Sequence, residues 1–236
     1  MSSPKIKPPL FSVFSQSIRH VWQDKTMAAP YIGLFLLYFI VDSWIKVPQW
    51  DPMALKLDTL KFQSILWSAD LFCKSIVTLG FLNMITKPKI QISFATRFPL
   101  IILVAGGLAS LLIATFLGLA SQPSESNLRF LLIFGFLFSI PAGILIEFLP
   151  SIILHRTGGL VRIAKSSFLF LKTNFFRSIL ALFFGISLLF LGSVIGGGLT
   201  HSIPLIGGAL SAVLQGFLYT IVNGYYCLFY IHSQDE

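Results

Sequence analysis

Residues 147–191 read EFLPSIILHRTGGLVRIAKSSFLFLKTNFFRSILALFFGISLLFL. One apolar run ends in this stretch, at Pro150 to His155. A basic segment follows, from Arg156 to Arg177, and a second apolar run then begins. In the basic segment Arg162, Lys165 and Lys172 fall on one side of a helix. Leu160, Ile163, Phe168 and Leu171 fall largely on the other, and Leu169 breaks the pattern. This alternation predicts a short amphipathic helix lying in the inner leaflet of a bilayer and bracing two membrane spans.

Working outward, the same composition holds along the chain. Of 236 residues, 55% are hydrophobic and 11% charged, with 24 Phe and a mean hydropathy of +0.83. A soluble domain carries about 25% charged residues, so lipid is the expected solvent. The net charge of +8 sits between apolar runs. The positive-inside rule and anionic headgroups account for it there, and nucleic acid is not an expected partner.

The pattern predicts an all-α, polytopic bundle. Residues 1–10 form a tail, and residues 11–231 a single transmembrane domain. Its six spans are expected at about 29–45, 62–85, 100–120, 130–154, 175–199 and 205–231, followed by a polar tail at 232–236. Before the first span, Phe11, Phe14, Ile18, Val21 and Trp22 recur at helical spacing. They predict an interfacial helix with Trp22 at headgroup depth. The N-terminal stretch has no apolar core followed by a small-residue cleavage site, so the first span is the expected insertion signal. A second interfacial turn is expected within KPKIQISFATRFP, before span 3. A basic lead-in followed by two spans recurs in outline three times, which suggests three pseudo-repeated units.

Charge fixes the expected orientation. Lys5, Lys7, Arg19 and Lys25, then Lys87, Lys89 and Arg97, then Arg156, Arg162, Lys165, Lys172 and Arg177 fall on one side. Lys46, Lys56, Lys61 and Arg129 fall on the other. The bias places both termini in the cytoplasm. The group from Arg156 to Arg177 is the expected contact with anionic phospholipid headgroups.

Small residues recur every four positions. They are Gly106, Ser110, Ala114 and Gly118 in span 3, Gly135, Ser139 and Gly143 in span 4, and Gly208, Ala212, Gly216, Thr220 and Gly224 in span 6. Span 5 adds Gly192 and Gly196. In lipid, close backbone approach at small residues drives helix association, so these stripes are expected to face other helices. They are expected to pack within the chain, and a homo-oligomer interface or a sliding surface for conformational change is the other reading.

Polar residues inside the spans are the candidate site. Asp70 and Lys74 are four apart and meet on one helix face. Either they neutralise each other inside the bundle or they line a cavity. Glu147 continues the small stripe of span 4 and so points at another helix, with Lys74, Arg156 or a water-filled mouth to stabilise it. Gln215 and Asn223 are candidates for hydrogen bonds between helices. Asp42 is read as an interface residue beside Trp44 and Lys46. Cys73 and Cys227 read as reduced thiols packed among helices.

The chain has no His-Glu-x-x-His, no Gly-x-Ser-x-Gly, no phosphate-binding Gly-rich loop and no acidic cluster for a divalent metal. The expectation is a non-enzymatic protein without cofactor. Two functions compete. One is a role in membrane or envelope homeostasis, binding lipid or a protein at the basic cytoplasmic face. The other is a small transporter or channel using Asp70, Lys74 and Glu147.

Pro150, Gly158, Gly159, Ala164, Ser167 and Asn174 carry a resemblance. An apolar span ends at a Pro, a Gly turn follows, then a short helix with an Ala-x-x-Ser step and an Asn entry into the next span. The lead-in SVFSQSIRHVWQDKTM fits the same layout. In this the chain resembles the YciC-like proteins and the membrane domain beside some glycerophosphodiester phosphodiesterases. That resemblance implies a six-helix integral inner-membrane protein without a settled activity. No phosphodiesterase barrel is present, so no such activity carries over. His155 stands where those sequences frequently have an acidic residue.

Overall fold

A computed structural model of the chain describes residues 8–45, 57–86, 94–120, 133, 135–155 and 159–234. Seven α-helices are described: α1 (Leu10–Gln23), α2 (Ala29–Ile45), α3 (Leu57–Thr86), α4 (Phe94–Ala120), α5 (Ile140–His155), α6 (Leu160–Ser202) and α7 (Pro204–His232). A 3-10 turn, Lys25–Ala28, joins α1 to α2, and a π-helical turn, Gly135–Ser139, leads into α5. No strand occurs among the described residues.

Among the described residues, five helical stretches are long and apolar enough to cross a membrane: Lys25–Ser43, Ser64–Ile85, Leu137–His155, Val161–Ser202 and Ile206–His232. Six were expected. Within α4 the apolar stretch Thr96–Leu112 is shorter, about 25 Å at 1.5 Å per residue.

The bundle is built around α7. Its residues 222–230 are buried on every side, as expected of a helix that is apolar all round. Helices α6, α2, α1, α3 and α5 all pack on it. The small stripe of α7 makes this possible. Gly208 lies under the Phe39 ring, Gly224 under the Phe81 ring, and Gly216 against the backbone of Ile32. Along α6, Gly192 receives Leu218, and Gly196 lies against Ser211 and Gln215. A third glycine on this seam, Gly185, admits the Tyr226 hydroxyl. The other two stripes do not behave this way. Ser110 and Ser139 are exposed, and nothing lies within 4 Å of where a Cβ on Gly143 would be. No helix comes to meet the stripe at Ser110, Ser139 or Gly143, whereas Gly106 lies in ordinary contact distance of the Trp67 ring of α3.

The segment predicted to lie flat in the inner leaflet does not form a separate helix. Residues 160–202 make one helix of 43 residues, about 64 Å long. It contains no proline and has no break at Asn174 or Arg177, so nothing turns the leading part into the membrane plane. The leading turns are built differently in the first and third proposed units: α1 is separated from α2 by the 3-10 turn, whereas the corresponding part of α6 is fused to its span. The far end of α6 also runs on. Only Ile203 separates it from α7, and Gly207 permits the close approach of the Leu199 carbonyl that so tight a hairpin requires.

Helix α1 lies across the bundle. Phe14 meets Phe184 of α6 and Tyr225 of α7, with ring centroids 4.9 and 5.8 Å away. The Ser17 hydroxyl donates to the Ile221 carbonyl of α7 at 2.6 Å, and His20 faces Phe81 of α3. Val13, Ser17 and Val21 form the buried stripe, while Phe11, Ile18 and Trp22 are exposed on a second one. The apolar residues read from the sequence as one face are therefore divided between protein and surroundings. Lys25 sits 5.0 Å over the Trp22 ring, a cation–π contact at that outer stripe.

Candidate functional site

The site forms where α7 stops being enclosed. Toward its N-terminal half, Ile206, Leu210 and Val213 are exposed on its outer face, while Gly208, Ser211, Ala212 and Gln215 border an internal space. This space is a cavity of about 600 Å³ lined by α2, α3, α6, α7 and Glu147 of α5. It runs from Asp42, Thr200 and Gly208, near the α6–α7 hairpin, down to Lys74, Glu147 and Tyr226. Gly208 and Tyr226 are eighteen residues apart, so the lining extends along about 27 Å of α7. Below it the bundle is closed by aromatic rings. Phe148 packs on Phe170, Tyr226 and Phe229 at 5.0 to 5.5 Å, and Phe170 packs on Tyr230 at 5.4 Å.

Three charges sit at the inner end. The Lys74 ammonium donates to Glu147 Oε2 at 2.7 Å and lies 3.8 Å from Asp70 Oδ2. Spacing alone gave Asp70 as the partner of Lys74, but the closer carboxylate is Glu147, 73 residues away. The i,i+4 relation holds Asp70 on the same face, and the α3–α5 contact brings Glu147 nearer still. The Lys74 side chain is 8% exposed, against 31% for Asp70 and 34% for Glu147. The ammonium is therefore underneath, and the two carboxylates present their remaining oxygen surface to the cavity. Such a charge-assisted hydrogen bond is shorter and stronger than a neutral one.

The polar groups around this cluster are engaged with one another. The Asn223 amide donates to the Tyr31 hydroxyl and to the Tyr219 carbonyl, each at 2.8 Å. Asn223 thus bridges α7 to α2. Gln215 bonds Ser211 on its own helix at 3.3 Å and borders the cavity instead of bridging helices. Asp42 is exposed and lines the mouth. Cys73 and Cys227 are both buried and free, and Cys73 Sγ lies 3.4 Å from the Pro30 carbonyl.

The basic residues expected at lipid headgroups divide. Arg162, Lys165 and Lys172 are exposed on the leading turns of α6. Arg177 is turned into the protein: it donates to the Pro8 carbonyl at 2.8 Å and lies over the Phe229 ring. One helical turn farther along, the fused helix carries it against the start of α1. Arg156 lies outside the described residues, as do residues 87–93 of the second predicted interfacial turn and the loop at 121–127. No group of three or more His, Cys, Asp or Glu able to hold a metal occurs among the described residues.

The cavity and the Glu147 partnership had no signal in the sequence beyond helical phase. Gly185 carried a weak one, lying seven residues before Gly192 on the same face. Comparison with family models, curated proteins and solved structures gave no match.

Proposed function

We propose that this chain is a small-solute carrier of the inner membrane, with six spans and both termini in the cytoplasm. The observation that carries this reading is the cavity of about 600 Å³ ending at Lys74, Asp70 and Glu147. Charged groups inside a membrane domain are costly, and where they persist they pair in the bundle interior or face a water-filled cavity; this cluster does both. Helix α4 supplies the sixth span in this reading, since it extends to Ala120 over 27 residues. With Lys and Arg concentrated near the N-terminus and the start of α6, the cavity mouth lies on the non-cytoplasmic side.

A carrier must also open the other way. Helix α5, which bears Glu147, is preceded by the π-helical turn and contains Pro141 and Pro150. Such interruptions are where membrane helices bend, and discontinuous helices form the binding sites of many transporters. Movement of α5 would carry Glu147 relative to Lys74 and relieve the aromatic closure at Phe148.

The test is sidedness of access. In a background lacking Cys73 and Cys227, Gln215→Cys in proteoliposomes is treated with a membrane-impermeant thiol reagent from either face. A carrier predicts rapid reaction from the non-cytoplasmic face and slower reaction from the cytoplasmic one. Reaction from one face only would leave a binding protein and overturn the carrier. Reaction from neither would remove the open cavity.

A second reading rests on Arg162, Lys165 and Lys172, exposed beside the exposed apolar Val161, Phe168 and Leu169. That surface suits anionic lipid, in a role in membrane homeostasis without transport.

A further inference from the structure

The chemistry of the cavity wall narrows what it accepts. Asp70, Glu147 and Lys74 together carry one formal negative charge. Among the described residues, Lys74 is the only cation lining the cavity, and its ammonium is already covered by Glu147. The amide donors at the inner end are likewise taken, Asn223 by Tyr31 and the Tyr219 carbonyl. At the inner end an anionic solute would meet two carboxylates beside an ammonium that they already cover. A cation would meet oxygen surface that Lys74 leaves uncovered.

The walls above the charges favour the same class of ligand. Phe35, Tyr38, Trp67 and Tyr219 line the path from mouth to floor. Aromatic faces attract cations through the ring quadrupole and accept apolar substituents equally well. A volume of about 600 Å³ is in the range that encloses a drug-sized molecule.

We infer that the cavity binds an organic cation, an ammonium or phosphonium with apolar substituents. Its charge lies against Asp70 and Glu147, and its substituents lie along the aromatic wall. This rests on the open cavity of the preceding reading but not on transport. Lys74 acts in it as a counter-ion that holds the two carboxylates in place beneath the ligand.

The experiment uses two probes of nearly the same size and opposite charge, tetraphenylphosphonium and tetraphenylborate. Binding to the purified full chain in dodecyl maltoside is measured by equilibrium dialysis, with empty micelles subtracted. The expected result is saturable binding of the phosphonium, one per chain, at least about tenfold tighter than the borate. In the triple variant Asp70→Asn, Lys74→Met, Glu147→Gln all three charges are gone while side-chain volumes are nearly kept, and the preference for the cation disappears. The double variant Lys74→Met, Glu147→Gln retains Asp70 and the same formal charge, and it keeps the preference. If the triple variant fails to fold, Trp67→Leu takes its place, with phosphonium binding expected to weaken several-fold.

Equal binding of both ions, tighter binding of the borate, or a cation preference that survives the triple variant would each overturn the inference. So would the absence of saturable phosphonium binding to the wild-type chain. In each case labelling of Gln215→Cys still decides whether the cavity itself is open.

Discussion

Gly216 is the position where one methyl group should act most directly on the contact between α2 and α7. A Cβ placed there would lie 2.7 Å from the backbone nitrogen of Ile32 and 2.9 Å from its Cα. Carbon contacts are optimal at about 3.5–4.0 Å, so α2 and α7 would have to separate by about 1 Å. Backbone cannot rotate out of the way as a side chain can. Overpacking of this kind costs about 1–3 kcal/mol. Alanine regains at most about 1 kcal/mol of helix propensity over glycine. The separation also strains the bond from Asn223 to the Tyr31 hydroxyl, one residue from the contact, worth about 0.6 kcal/mol by analogy with other membrane helices. The expected net loss for Gly216→Ala is about 1–2 kcal/mol, and Gly216→Leu should prevent assembly of the bundle. Gly143→Ala is the matched control, because nothing lies within 4 Å of that Cβ. It should be neutral or slightly stabilising. Reversible unfolding in mixed dodecyl maltoside and dodecyl sulfate micelles, followed by circular dichroism, measures both. Wild-type stability in Gly216→Ala, or an equal loss in Gly143→Ala, would refute the close approach of α2 and α7.

Two further outcomes follow from the charge cluster and its surroundings. Lys74→Met leaves two carboxylates without their cation and should destabilise by about 3 kcal/mol, while the neutral triple variant recovers most of that loss. The opposite order in the same unfolding assay would mean that the three side chains do not share one site. A double-mutant cycle on Asn223→Leu and Tyr31→Phe should show a coupling of about 0.6–1.7 kcal/mol. Additivity within error would show that these side chains do not bond.

The sequence was most informative where a physical cause acts locally. Hydropathy requires only that some twenty neighbouring residues share a solvent, so α2 and α7 were visible as spans. The four-residue step of small side chains on α7 was equally visible, and it is the face that meets α2 and α3. The same step gave the same signal at Ser110, Ser139 and Gly143, where no helix arrives to use it. In water a buried face is marked by apolar residues among polar ones. In lipid both faces are apolar, and that mark is lost.

Composition and spacing by themselves indicated that the chain forms helices long and apolar enough to cross a membrane, as the described residues do, and that Asp70 and Lys74 share a helix face. They also singled out Glu147 as an acidic residue where a small one was due. Only the tertiary structure decided the rest. It brought Glu147 to 2.7 Å from Lys74, turned Arg177 toward Pro8, and divided the apolar side of α1 between the bundle and its surroundings. It also opened the cavity above Lys74. Periodicity fixes the direction of a side chain relative to its own helix axis. Which helix stands in that direction, and where two helices part to leave a space, depends on crossing angles set by contacts among all of them.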